Sequence, residues 1–147
     1  MTITETVSLN GQDKGSTNSM TIASVAEVLQ RIITVPTSEM TVLTFTSSTP
    51  GSSTAIGLNE ANVRYIRMTN KDDTNFIQIT TISDGSNECA HKLEAGHSLM
   101  IPVSEEGTAN VHDADSSALT VSFGDLASVT ALANTSACDL EIFVAGV

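Results

Sequence analysis

The chain has 147 residues, 40% of them hydrophobic and only 3% aromatic, and carries 17 acidic side chains against 6 basic ones for a formal net charge of −11. That length fits one domain, 1–147, able to bury a core without staples. The charge repels phosphate backbones and anionic lipid headgroups, which argues against nucleic acid and membrane as direct partners; a basic protein surface stays compatible with it.

The apolar set is Val, Ile, Leu and Ala, with no Trp, and roughly a quarter of the chain is Ser or Thr. Thr and β-branched residues suit a half-buried pleated surface, whereas long helices want more Leu, Glu, Lys, Arg and Gln. The first residues, MTITETVSLNGQDKGS, have no basic segment followed by an apolar one, so no secretion signal is expected. No run approaches the roughly 18 apolar residues of a membrane span. The expectation is a chain made in a cytoplasm that either stays soluble there or leaves by cell lysis or inside an assembly.

In chain order, residues 2–9 alternate loosely and end at Asn10-Gly11, a tight-turn signal. Residues 10–19 are polar and read as a loop or a mobile arm. In residues 20–36, Val25, Val28, Leu29 and Ile32 fit one helix face. The same stretch also alternates, with Ala26, Val28, Gln30, Ile32 and Thr34 against Glu27, Leu29, Arg31, Ile33 and Val35. The β-branched tail Ile32 to Val35 favours one or two strands, and Pro36 ends them because proline cannot donate to a ladder.

Residues 41–46 form a strand with Val42, Thr44 and Thr46 on one side and Leu43 and Phe45 on the other; 47–54 are a loop. Residues 62–70 form the next strand. Val63, Tyr65 and Arg67 share one face there, and Arg64, Ile66 and Met68 the other. Lys71-Asp72-Asp73 turns into a strand over 76–82, and the pair reads as a hairpin. Asp84-Gly85-Ser86 is another turn, 88–93 alternate weakly, Glu94-Ala95-Gly96 turns, and 97–103 are apolar again. Residues 104–116 read as a polar loop around a short apolar patch, 119–123 as a strand, 124–137 as small and polar, and 140–147 as a closing strand. About eight to ten short strands with turn signals every 8–12 residues make an all-β antiparallel sandwich, jelly-roll-like.

Chemistry-bearing residues are sparse. Cys89, His91 and nearby His97 offer thiolate and imidazole, which suit zinc, but a structural zinc site needs four ligands, and Glu88 or Glu94 would have to complete it. A thiol beside solvent-facing histidines is the simpler reading. Asp113 and Asp115 resemble the start of a calcium loop that no later Gly and Glu complete, so a solvated loop is expected. No metal or other cofactor is expected. Cys89 and Cys138 form no CxxC motif; two free thiols is the simpler expectation, and one long-range disulfide the alternative. There is no Gly-x-Ser-x-Gly elbow and no phosphate loop, so no catalytic residue is assigned and no enzyme activity is expected. Aromatics are too few for stacking sugars or single-stranded nucleic acid. Arg64, Tyr65 and Arg67 place two of the six cations beside the only tyrosine, a pattern enriched at interface anchors; a surface strand with snorkelling side chains is the alternative.

Two stretches carry a resemblance. One runs from Ala26 to Thr37, AEVLQRIITVPT. The other runs from Asn62 to Phe76, NVRYIRMTNKDDTNF, and is followed by KLEAGHS over 92–98 and LMIP over 99–102. The Thr69-Asn70 strand end, the polar turn and the Leu93-x-x-Gly96-x-Ser98 segment before a strand resemble β-sandwich modules of small virion structural proteins of tailed bacteriophages. The resemblance covers roughly 26–102, about half the chain. It implies a capsid decoration (cement) protein, or else a neck or tail component. Such a protein would be a homo-oligomer that contacts other virion proteins such as the major capsid protein and leaves the host by lysis. It carries over no catalytic residue. A receptor- or glycan-binding module of a fibre is the reading from another class.

Overall fold

The computed structural model describes residues 1–15, 18–47, 57–105, 108–111 and 122–147. Fifteen strands and no helix occur among them: β1 (Thr2–Glu5), β2 (Ser8–Leu9), β3 (Gln12–Asp13), β4 (Asn18–Thr21), β5 (Glu27–Val35), β6 (Met40–Thr46), β7 (Leu58–Asn59), β8 (Val63–Asn70), β9 (Ile77–Ser83), β10 (Glu88–Leu93), β11 (Ser98–Ile101), β12 (Thr108–Val111), β13 (Ser122–Gly124), β14 (Leu126–Ala133) and β15 (Cys138–Gly146). Two sheets pack face to face as an antiparallel β-sandwich. One has the order β10-β9-β14-β6-β7 and the other β11-β8-β15-β5. Every long pairing is antiparallel; β7 joins β6 in parallel as a two-residue fringe. The smaller pairs β1-β4, β2-β3 and β12-β13 lie outside the two main sheets.

The core is the seam between the sheets. Ile66 and Met68 from β8, Leu140, Ile142 and Val144 from β15, and Val35 from β5 meet Ile77, Ile79, Val129 and Val42 from the opposite sheet, all essentially buried. β15 alternates through its first seven residues, with even-numbered side chains inward. β5 follows the two-residue alternation that its sequence suggests: Leu29, Ile33 and Val35 face the core, and Val28, Gln30 and Ile32 face out. It ends at Val35, one residue before Pro36.

Alternation fails where a bulge inserts a residue. Thr44 and Leu43 pair with Ser128 and Val129, but the next pair is Thr41 with Thr130. Val42 is therefore the extra residue, and both Val42 and Leu43 turn inward rather than to opposite sides. On β8 a register break between the partners Ala145 and Gly146 leaves Arg64 as the extra residue. Val63 consequently joins the core with Ile66 and Met68, while Tyr65 points to the other face of the sheet.

Two expectations need correcting. Strands β8 and β9 are not a hairpin: each belongs to a different sheet, and the turn between them carries the chain across the sandwich. Residues 124–137 are not merely small and polar. They contain β14, an inner strand between β9 and β6, with Leu126, Val129, Ala131 and Ala133 buried. Parts of the 10–19 segment are also strands. Asn10 and Gly11 both take positive φ (53° and 76°), as a two-residue hairpin turn requires, and join β2 to β3.

Four crossings between the sheets, β5–β6, β8–β9, β10–β11 and β14–β15, lie at one end. There Asn70, fully buried, donates from Nδ2 to the carbonyls of Asn75 (2.8 Å) and Leu93 (3.2 Å), and its Oδ1 accepts from Asp72 N. Its backbone N–H donates to His97 O and its carbonyl accepts from Gly96 N. One side chain thus ties the β8–β9 crossing to the β10–β11 crossing. Asp72 Oδ1 accepts from the backbone of Thr74 and Asn75, and Asn75 Nδ2 reaches Ser136 Oγ in the β14–β15 crossing. Ser98 Oγ and Thr69 Oγ1 lie 2.7 Å apart. Gly96 sits at φ 71°, where a β-carbon is strained.

Truncating Asn70 leaves the buried carbonyl of Leu93 and the half-buried carbonyl of Asn75 and N–H of Asp72 without this partner. Asn70→Ala is expected to cost about 2–4 kcal/mol, taking roughly 1–3 kcal/mol for each group left unsatisfied and allowing for partial rescue by water. Urea denaturation of the two proteins checks it; a loss below about 0.5 kcal/mol, the range of an ordinary surface change, contradicts the role assigned to this amide.

Candidate interaction surface

The outer face of the four-stranded sheet gathers the residues of interest. Register places Gln30, Phe143, Arg67 and Met100 in one row across β5, β15, β8 and β11. Ile32, Glu141, Thr69 and Ser98 form the next row, and Val28, Ala145 and Tyr65 the one on the other side. Strands β1 and β4 lie over the Tyr65 end. Ile22, Tyr65 and Ala145 form a second small core there, with Met1, Ile3, Val25, Phe143 and Val147 packed against it. The terminal ammonium of Met1 donates to Ile22 O at 2.7 Å, which fastens this cover.

Of the three residues singled out in the sequence, two meet on this face and one does not. Tyr65 is 5% exposed, beneath the chain's own N-terminal strands, with its ring edge-on to Phe143 at 6.1 Å. Arg67 is half-buried; its guanidinium lies 5.8 Å from the Phe143 ring centre and 3.5 Å from Glu141 Oε1. The same carboxylate oxygen accepts from Gln30 Nε2 at 3.3 Å. Arg67 Nε is buried without a hydrogen-bond partner. Arg64, displaced by the bulge, turns back to the carbonyls of Ala61 and Val63. The partly exposed Arg67–Glu141 pair contributes about 0–1 kcal/mol, so its main effect is to orient two charges among the apolar and neutral polar side chains of this face.

Between this face and the N-terminal strands lies a cleft of about 510 Å³, walled by Ile3, Met20, Tyr65, Arg67, Ser98 and Met100 among others. Its walls are mainly apolar, with Arg67 as its cation and Glu5 as its anion. Met20, Met100, Val28 and Ile32 are each more than 40% exposed. The strands β1 and β4 that form one wall were not distinguishable as a cover from sequence, because their apolar residues are only Ile3 and Met20.

The metal and thiol candidates separate. Cys89 and His91 share one face of β10, with Sγ 3.5 Å from Nε2, and both are exposed. His97 lies in the β10–β11 crossing, its Nδ1 3.0 Å from Ala95 O. Among the described residues no cluster of three or more His, Cys, Asp or Glu is arranged to hold a metal ion. Asp113 and Asp115 lie outside the described residues. Both cysteines are free. Cys138 is buried at the start of β15, and burial, followed by the negative Asp72, pushes its thiol pKa up. Asp72 itself is held below the usual carboxylate range, chiefly by the N–H groups of Asn75 and Thr74.

At the other end of the sandwich, burial raises the pKa of Glu60, and the negative Asp125, Asp84 and Glu105 add to the rise. The backbone there is pinned by Ser104 Oγ donating to Glu60 O at 2.6 Å. No described helix is long and apolar enough to cross a membrane. Comparison with protein-family models, curated proteins and solved structures finds no match to this chain.

Two outcomes follow. A carboxyl whose folded pKa is raised binds its proton more tightly folded than unfolded, so its stability penalty is absent at low pH and grows as pH rises through the window between the two values. Glu60→Gln is therefore expected to raise Tm at neutral pH, with the gain shrinking to nothing as pH falls through the carboxylate range; a gain that persists at low pH contradicts the charge argument. With a thiol-specific reagent, one thiol, Cys89, should react at once in the native protein and Cys138 only on unfolding. Loss of the fast reaction in Cys89→Ser checks the assignment.

Proposed function

We propose that this chain is a structural virion protein that works by protein–protein contact rather than catalysis, decorating the capsid shell rather than serving in the neck or tail. The strand order is the observation that carries the reading. Numbered in chain order and leaving aside the two-residue β7, the strands of the two main sheets, β5, β6, β8, β9, β10, β11, β14 and β15, fall into the orders 1-8-3-6 and 2-7-4-5. Two interlocked Greek keys produce that order, so it supports a jelly roll, an architecture shared by viral capsid and lectin domains. The interior of the sandwich is filled with Ile, Leu, Val and Met, which leaves recognition to outer faces and edges. A net charge of −11 suits basic patches on a shell. The motif residues behind the phage resemblance, Thr69, Asn70, Leu93, Gly96 and Ser98, meet one another at the crossing end, so in this chain they serve architecture.

The cleft beneath the N-terminal strands favours a second reading, a receptor- or glycan-binding module. Against it, Tyr65 is covered, and the large exposed aromatic among the described residues is Phe123.

The test is co-sedimentation of the purified protein with isolated phage heads that lack it, with a glycan array run in parallel. Saturable binding in fixed ratio to the major capsid protein, with a blank array, is the expected outcome. No affinity for heads together with a specific glycan hit would replace decoration by the receptor-binding reading.

A further inference from the structure

We infer that β5 is a self-pairing edge, through which two copies of this chain join their four-stranded sheets across a two-fold axis. The inference deepens the proposed function, resting on its reading of the chain as an oligomeric structural part, and names the surface involved.

Strand β5 is nine residues long and forms the outer edge of its sheet. Among the described residues, one side of it pairs with β15 and no strand pairs with the other. The remaining edges are shorter: two residues in β7, four in β11 and six in β10, where Glu88, His91 and Lys92 are exposed. Natural sheets blunt a free edge with proline, a bulge, inward charge or brevity. β5 contains no proline and runs against β15 from Glu27 to Val35 without a register break, although β6, β8 and β14 all carry irregularities; its one inward-side cation, Arg31, is held within the subunit by donating to Val42 O. Its outward side chains Val28 and Ile32 are 57% and 62% exposed.

The pattern along β5 is complementary to itself. An antiparallel pair centred on Gln30 sets Val28 opposite Ile32 of the partner subunit, and Ile32 opposite the partner subunit's Val28. On the other face of the same pair, Glu27 lies diagonal to the partner's Arg31, and the arrangement repeats through the axis. Directly opposed apolar pairs and diagonal opposite charges each favour that register. Moving the centre one residue to Arg31 brings two guanidinium groups face to face and loses the Val28–Ile32 contacts. A contact that satisfies both copies with the same residues closes at two subunits instead of growing into a filament. Its area is at the low end for stable interfaces, so the mass should depend on concentration.

The experiment is sedimentation velocity of the full chain alone, from dilute solution up to about 1 mM, the weak limit of specific association. The wild type should approach twice 15.3 kDa. Gln30→Lys places two ammonium groups at the axis while its own Glu141 remains a partner within the subunit; dimerisation should weaken at least tenfold with the circular dichroism spectrum unchanged. Ile32→Lys is the second variant. Glu141 lies directly opposite position 32 on β15, so this lysine also gains a partner in the monomer and should separate the copies likewise. A wild type that stays monomeric throughout, or a dimer indifferent to both folded variants, overturns the inference. Because the protein is read alone, a β5 dimer that ignores heads sustains the edge and overturns the virion reading, and a head-binding monomer does the reverse.

Discussion

The structure depends on one buried amide at the end where the chain changes sheets. A sandwich whose chain passes repeatedly from one sheet to the other, as at β5–β6, β8–β9, β10–β11 and β14–β15, must turn its backbone across the core each time, and each turn carries polar groups to where water is scarce. Asn70 answers this with both side-chain atoms and both backbone groups bonded, joining the segments after β8 and before β11. Asp72 and Asn75 extend the same network to the β14–β15 crossing, and Ala133 N donates to Pro36 O where β5 leaves for β6. With the crossings fixed, Ile66, Met68, Leu140, Ile142 and Val144 fall opposite Ile77, Ile79 and Val129, and the seam closes.

Much of this was legible in the sequence, for physical reasons. Leu29, Ile33 and Val35 alternate with Val28, Gln30, Ile32 and Thr34 because one face of β5 turns to the core and the other to solvent; Arg31, exposed on the inner side, and the apolar Val28 and Ile32 on the outer side blur the pattern. Asn10-Gly11 reads as a turn because both residues tolerate positive φ. What escaped was non-local or irregular. Two strands joined by a short polar turn look like a hairpin whether or not they belong to the same sheet, and β8 and β9 read as one for that reason. β14 hides because a strand flanked by β9 and β6 fills its space with Ala131 and Ala133, weak hydrophobic signals, while its break near Ala127 spoils the alternation. The bulges at Val42 and Arg64 move side chains to faces that counting by twos cannot assign.

The candidate surface shows the same division. Arg67 and Tyr65 were recognisable as an unusual pair, and they do share a face. The covering of Tyr65 by β1 and β4 was not visible, since it depends on a contact between the first residues and strands sixty or more positions away. That cover divides the outer face into a closed end around Tyr65 and an open end bearing Ile32, Glu141 and Met100. The locked crossings contrast with the open β5 edge and outer face, and this contrast underlies the view of the protein as a rigid block that works through its surfaces.

Amide hydrogen exchange on the native protein tests that view most directly. The N–H groups of Asn70, Lys71 and Gly96 lie in connecting turns or at their border, yet each donates to a carbonyl of the crossing network. If the network locks the sandwich, they should exchange only through global unfolding, as slowly as Ile142 in the middle of β15. Exchange at the rate of an open loop, with β15 still protected, would show that the crossings move independently of the core and would contradict the account.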